Sequence, residues 1–439
     1  MTSYYRMPMK EEFQLKSRKF TAKIVSMLMC ALVIMAFPIS TFAASGSSTA
    51  NPSSAAGTAK DNSKVVKLAF TDSPTLKVGD MTIYHPSYAA MLAFKGAFEK
   101  STGGEYTVDL YPNGVLGDAS STIEQMLAGT LTGSTPADGT LSSFAPDIQV
   151  FTIPYLFSNP TAAYDVLDGD FGTQLFDKIA KDTRIRIIAA YDNGGYRNFT
   201  NSKRPIKTAA DMKGLKIRVM ESPVYIKMIE ALGATATPIA FLELYSALQT
   251  GVVDGQENSA VTTLGSSLNE VQKYCTLDGH LLGLAFLTIS EDWYESLDAA
   301  TQAKVDEAGK EATLASRGTC RYAEALAIDT LTKKGVEVYS PNEKELETFK
   351  VCQAPVIEYL KSNLKDPSLV DELQTAIKNV NTNGTAANTS SSGNSAAASA
   401  ANSSSPSGGS NTGIIIAVVA VLLIIVLFAF SRKKGKKQE

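Results

Sequence analysis

The stretch Asp211 to Asn258, DMKGLKIRVMESPVYIKMIEALGATATPIAFLELYSALQTGVVDGQEN, decides the fold. Lys213-Gly214 is a turn signal, and the alternating run Leu215-Lys216-Ile217-Arg218-Val219 after it reads as a strand. Arg218 falls near its end, on the face opposite Ile217 and Val219. Ser222-Pro223 reads as an N-cap followed by proline at the first helical position. A helix from Val224 to Leu232 stops at Gly233. A second strand runs from Thr235 to Ile239, and a second helix from Leu242 to Thr250 stops at Gly251. Val252 to Asn258 then enters another strand or loop. Strand, helix, strand, helix, strand is the signature of a parallel sheet covered by helices, and such sheets bind ligands at the carboxyl ends of their strands. Arg218, Phe241 and Asn258 all fall near such ends.

Working outward, Val65 to Phe70 reads as the first strand, Ser87 to Ser101 as a helix closed by Gly103-Gly104, and Tyr106 to Tyr111 as a second strand. Ile185 to Ala190 is apolar without interruption and reads as a buried strand. Val271 to Thr288 is strand material around His280. From Asp298 to Lys334 there is no proline, and Val305, Ala308, Ala312, Ala315, Tyr322 and Leu326 recur at helical spacing. This predicts one unusually long helix, ended by Gly335, although Gly309 and Gly318 weaken it. Val336 to Tyr339 reads as a strand, and Ser340-Pro341 and Asp366-Pro367 as starts of two more helices.

The stretch from Asp211 to Asn258 closely resembles the solute-binding subunits of TRAP transporters, the tripartite ATP-independent periplasmic (DctP-type) family. That family carries runs like D-x-K-G-L-K-I-R-V, A-L-G-A-x-x-x-P and F-x-E-L-Y-x-A-L-Q-T-G-V-V-D-G-Q-E-N. They stand here at Asp211 to Val219, Ala231 to Pro238 and Phe241 to Asn258. Tyr111 to Gly117 resembles the family's Y-P-x-x-x-L-G loop. Pro146 to Phe157 resembles its P-x-x-x-V-x-x-x-P-F-L-F segment, with Tyr155 where Phe is common. Gly195 to Ile206 resembles G-x-R-x-x-T-N-x-x-x-P-I, and Asp292 to Leu297, with the single Trp293, is a further family feature.

The resemblance implies an α/β, two-lobed periplasmic-binding-protein-like fold, crossed by the long helix. Lobe I takes residues 64–194 with about 284–323, and lobe II takes 195–283 with about 324–380. It implies a pocket in which Arg218 and Arg197 meet a carboxylate, with Phe241 as a wall and Asn258 as a hydrogen-bond partner. His85, Tyr88 and Asp138 are weaker pocket candidates, and His280 is read as structural. Arginine suits the role because its planar fork pairs bidentately with a carboxylate and keeps its charge. Arg197 is expected nearer the rim than Arg218. The implied function is capture of a small organic acid and its delivery to sodium-coupled TRAP membrane subunits. The alternative is a ligand sensor on the same fold signalling to a membrane receptor.

Both ends differ from the middle. Residues 1–43 read as a signal peptide, with a basic leader, an apolar Ile24 to Ile39 and a small-residue cleavage site at Thr41-Phe42-Ala43. Met29 stands before Cys30 where a lipoprotein site needs a small residue. Residues 44–63 read as a flexible lead-in and 381–412 as a disordered tether, for want of large apolar side chains. Residues 413–430 read as a transmembrane helix, and 431–439 as a basic cytoplasmic tail. These features predict an exported protein tethered to the outer face of the cytoplasmic membrane, with the lipid bilayer as a partner.

The formal net charge is −3. Six basic and two acidic residues fall in 1–43, and five basic and one acidic follow Phe430, which leaves 30 basic against 41 acidic between them. So acidic a body is a poor nucleic-acid binder and must hold an anion with locally placed arginines. Cys275, Cys320 and Cys352 are widely spaced and odd in number, with no zinc pattern; buried free thiols are the plain reading, with one disulfide as the alternative. No nucleophile elbow, H-E-x-x-H or phosphate-binding glycine loop is present, so neither an enzyme nor a cofactor is expected.

Overall fold

The computed structural model describes residues 64–392 apart from Gly79, with side chains described to Asn381. The signal peptide, the lead-in, the transmembrane helix and the basic tail predicted above lie outside the described residues.

Eleven strands are present among the described residues: β1 (Val65–Ala69), β2 (Thr75–Val78), β3 (Met81–Tyr84), β4 (Thr107–Tyr111), β5 (Gly133–Ser134), β6 (Ile185–Asn201), β7 (Lys216–Val219), β8 (Thr235–Pro238), β9 (Gly255–Ser259), β10 (Tyr274–Ser290) and β11 (Glu337–Tyr339). Nine form one sheet in the order β4-β1-β5-β10-β6-β9-β7-β8, with β11 against β10; β2 and β3 make a separate hairpin. On one flank β1 pairs in parallel with β4 and β5. On the other, β7 pairs in parallel with β8 and β9. The two flanks are the two lobes. Between them run β6 and β10, antiparallel and 17 residues each.

The predicted strand-helix-strand-helix-strand unit is therefore present, with local corrections. The helix Pro223–Ala231 follows Ser222, but the Ser222 side chain makes no cap bond; its hydroxyl accepts from Ser142 Oγ at 3.2 Å. The second helix starts as a 3-10 turn, Phe241–Glu243, and becomes α-helical only at Leu244–Gln249. Asn258 lies inside β9. The largest difference is β6. The sequence reads a strand from Ile185 to Ala190, where the apolar run ends, yet the strand continues to Asn201. Pairing with β10 on one edge and β9 on the other supplies the hydrogen bonds that local sequence does not promise.

The long helix is Ala299–Lys333. Asp298 caps it by accepting from the Thr301 backbone at 3.0 Å, and Gly335, at φ +88°, ends it. Its buried stripe includes small residues at Ala308, Gly309, Ala312, Ser316, Ala323 and Ala327, which let it lie close to the sheet. It packs on the helix Pro86–Ser101 and β6 toward one end, and on the helix Ala260–Gly265, β2 and β11 toward the other. Gly309 permits the closest approach: a Cβ there would stand 2.2 Å from the Ile188 carbonyl oxygen. Asn342, rather than Ser340-Pro341, caps the next helix, Glu343–Phe349. The helix Ser368–Ser392 extends into the predicted tether at 381–412. Its first turns are docked through Leu369, Val370 and Leu373, and lengthening an existing helix avoids the cost of nucleation.

Candidate functional site

A cleft opens where strands of both flanks end. The space around it, open solvent at the mouth included, is about 730 Å³. Phe70, Thr71 and Asp72 reach it from the end of β1, and Thr135 from the end of β5. Arg218, Met220 and Glu221 come from β7 and its end, Ile239, Ala240 and Phe241 from beyond β8, and Asn258 from β9. Every one of these is at or just past a carboxyl end, where open sheets bind ligands. Arg197 and Asn193 enter from β6. Of the seven predicted residues, the structure brings four together at this cleft: Arg218, Arg197, Phe241 and Asn258.

The two arginines differ sharply. Arg197 is 2% exposed, buried in the cleft wall. Its Nε donates to Glu257 Oε2 at 2.5 Å, and its Nη2 to Glu257 Oε1 at 2.9 Å and to the Glu257 carbonyl at 2.7 Å. Burial disfavours its charge, but Glu257 outweighs that and raises the Arg197 pKa above the arginine norm. Glu257 is in turn held below the usual carboxylate range: its own burial opposes ionisation, and Arg197 overcomes it. The expectation of a rim position fails because β6 and β9 pair over Arg197–Asn201, placing this arginine beside a buried carboxylate.

Arg218 is 1% exposed, so the outward strand face predicted for it is a buried one. Its Nε donates to the Ile239 carbonyl at 2.8 Å, while its Nη1 is buried and has no partner. Burial lowers its pKa to about 10, with Glu257 only partly offsetting the loss of water. A buried guanidinium nitrogen left unpaired beside an open cleft is poised for an anion.

Asn258 is buried in β9 and donates to Gln256 Oε1 at 2.8 Å. Phe241 is half-buried on the first residue of its 3-10 turn. The other three candidates are not among the lining residues. His85 caps the helix Pro86–Ser101, its Nδ1 accepting from the Ser87 backbone at 3.2 Å, and burial pushes its pKa down to about 3. Tyr88 stacks on Phe70, ring centres 6.4 Å apart. Asp138 is buried and takes bonds from Leu284 N at 2.9 Å and Tyr225 Oη at 2.9 Å; burial raises its pKa.

His280 is fully buried behind the cleft, as a structural histidine. Its Nδ1 lies 2.8 Å from Asp278 and its Nε2 3.3 Å from Glu257, while Phe199 stacks on its ring at 4.4 Å. Burial pulls its pKa down, but the two carboxylates outweigh this and raise it to about 9. Cys275, Cys320 and Cys352 are buried free thiols. No cluster among the described residues fits a metal ion.

Sequence reasoning missed Asp72 and Thr135. Asp72 follows the predicted first strand, so the carboxyl-end rule was available to find it. Thr135 follows a two-residue strand that leaves no periodic signal.

The profile of the family described as DctP, bacterial extracellular solute-binding protein, family 7, matches residues 81–363. A solute-binding protein of Verminephrobacter eiseniae is 33% identical over 267 residues, covering 61% of this chain and 78% of that one. The crystal structure of a sugar acid binding protein from Advenella mimigardefordensis in complex with galactonate superposes with a TM-score of 0.66 at 28% identity, covering 72% of this chain and 98% of that one. A TRAP periplasmic solute-binding protein from a Sulfitobacter species, with bound β-D-galacturonate, gives a TM-score of 0.65 at 31% identity, covering 72% and 100%. These relatives are solute-binding proteins, not enzymes.

Proposed function

The chain belongs to the bacterial extracellular solute-binding protein family 7, and from that premise we propose that it captures a small organic acid by pairing the acid's carboxylate with Arg218. One observation carries this reading: Arg218 Nη1 is buried in the wall of the cleft without a partner. A carboxylate supplies what the nitrogen lacks, and the desolvated cleft strengthens the pair. The organic acids bound by the structural relatives support the same ligand class. Asn258 and Phe241 line the cleft beside Arg218 and complete the pocket, the first through its amide and the second as an apolar wall.

The two lobes close on the ligand about the middle of β6 and β10. Gly194 and Gly195 there adopt φ of +92° and +91°, and Gly283 lies on the neighbouring strand, which supports a lobe boundary near 194 and 283. The closed form is delivered to sodium-coupled TRAP membrane subunits. The apolar 413–430 segment and its basic tail hold the binding lobes at the outer face of the membrane. That segment lies outside the described residues; no helix among those is long and apolar enough to cross a membrane.

The test is a thermal-shift screen against organic acids, neutral sugars and amines. A ligand that binds only the folded state raises the melting temperature. The reading expects the hits to be acids; hits confined to neutral or cationic solutes contradict it.

A further inference from the structure

We propose that the outer face of the long helix, with the β2–β3 hairpin beside it, is the interface for a second copy of this chain, the two helices meeting antiparallel about a two-fold axis at Tyr322. The inference does not depend on what fills the cleft.

It starts from apolar side chains left in water. Leu314 is 68% exposed and Tyr322 50%, and Ile328 on the same helix is exposed, as are Met81 and Tyr84 of β3. These five make half of the large apolar side chains exposed among the described residues. On the helix they follow its period: Leu314, Gly318, Tyr322, Ala325 and Ile328 are all exposed and form one stripe. The hairpin joins that stripe. Tyr322 Oη lies 3.2 Å from Met81 Sδ, and Thr82, Ile83 and Tyr84 share a groove with Gly318, Thr319 and Tyr322. A contiguous exposed apolar patch of this kind marks an interaction surface.

The charges say what covers it. Between Glu311 and Asp329 the charged residues are Arg317, Arg321 and Glu324, and all three are turned toward β6. Arg317 pairs with Asp168 at 2.6 Å and donates to the Ala190 carbonyl, Arg321 pairs with Asp192, and Glu324 pairs with Arg321 at 2.7 Å. The stripe itself is uncharged. Exposed charges of opposite sign stand at its two ends, Glu311 before it and Lys333 after it. Among the described residues Glu311 has no ion pair, and Lys333 has only an exposed one to Asp329.

A second copy turned antiparallel about Tyr322 brings its Lys333 onto Glu311, its Ile328 onto Leu314 and its Ala325 onto Gly318. Each of these pairs has its midpoint at or next to Tyr322. Every pair then occurs twice, which is the self-complementarity an isologous dimer requires. Gly318 and Ala325, facing one another, let the helices approach closely, and Tyr322 at the axis supplies an aromatic anchor at the interface centre. A parallel arrangement would instead set Glu311 on Glu311 and Lys333 on Lys333, like charges directly opposed.

The experiment is sedimentation velocity on the full chain in detergent, over a micromolar concentration series. Wild type should populate a dimer. Tyr322→Glu alters an exposed side chain, so it should melt close to wild type while weakening the dimer at least about tenfold. Glu311→Lys and Lys333→Glu should each weaken the dimer, and the double reversal should recover it. Val351→Glu, at an exposed apolar side chain elsewhere on the surface, should leave it intact. A monomer at every concentration overturns the inference. So does a dimer that neither Tyr322→Glu nor the single reversals weaken, since such a dimer lies on another surface, the apolar 413–430 segment included. Single reversals that weaken the dimer without recovery in the double variant overturn the antiparallel register.

Discussion

Arg197 and Glu257 form a bidentate pair in which both side chains are almost completely buried, with Nε to Oε2 at 2.5 Å. The arginine that the sequence pairs with Arg218 as a ligand group is thus already matched by a carboxylate of the protein. Removing one member of such a pair leaves the other charged and unsatisfied, at a cost of roughly 3–5 kcal/mol. Arg197→Ala should therefore destabilise the fold by that order in denaturant titration. Glu257→Ala in the same chain should recover part of the loss, since the double variant buries no orphan charge.

Arg218 presents the opposite case. Its folded-state pKa is lowered by burial, so at neutral pH the empty protein carries a charge that its fold disfavours. Replacing it with an apolar side chain of similar length removes a buried, unmatched donor. Arg218→Met should stabilise the ligand-free protein by about 1–3 kcal/mol while abolishing the ligand-induced rise in melting temperature. An apo melting temperature that falls instead contradicts the unpaired state of Nη1.

His280 sets a pH dependence. Its folded pKa, about 9, lies above the ordinary histidine value of 6.5, because Asp278 and Glu257 overcome the effect of burial. The folded state binds this proton more tightly than the unfolded chain does. Its stabilisation is fully present below pH 6.5 and is lost as pH rises through about 9. Unfolding free energy should decline across that window. In His280→Gln, which keeps a polar side chain and lacks the titration, the decline should be much shallower.

The long helix contains two glycines with opposite roles. At Gly309 a Cβ would stand 2.2 Å from a backbone oxygen of β6, whereas at Gly318 nothing lies within 4 Å. Gly318→Ala should stabilise the protein by about 1 kcal/mol through helix propensity alone. Gly309→Ala should destabilise it, because helix and strand must separate to admit the methyl group. Equal effects at the two sites, read as melting temperatures, contradict the packing described.

The local elements were legible where punctuation and period agree. Lys216–Val219 is bracketed by Gly214 and Pro223, and Ala299–Lys333 by Asp298 and Gly335. The middle of β6 was not, because Gly194 and Gly195 signal a turn, and only long-range pairing with β10 and β9 keeps the chain extended past them. The same gap hid the fate of Arg197, whose partner lies 60 residues away on β9. Periodicity shows which face a residue takes, and not which charge faces it across a neighbouring strand. Asp138 and His85 are weaker candidates in sequence, and the structure shows the partners that sequence could not name. Their bonds to Tyr225, Leu284 and Ser87 show them satisfied locally.

Calorimetry on Arg218→Ala, with the tightest acid found for wild type and the fold checked by circular dichroism, tests the central claim most directly. The account predicts a loss of about 200- to 5,000-fold, the equivalent of breaking a buried charge pair. Arg218→Lys should fail nearly as badly, since an ammonium keeps the charge and loses the planar fork. Binding by folded Arg218→Ala within about threefold of wild type, under ~1 kcal/mol, would contradict the assignment of the carboxylate to Arg218.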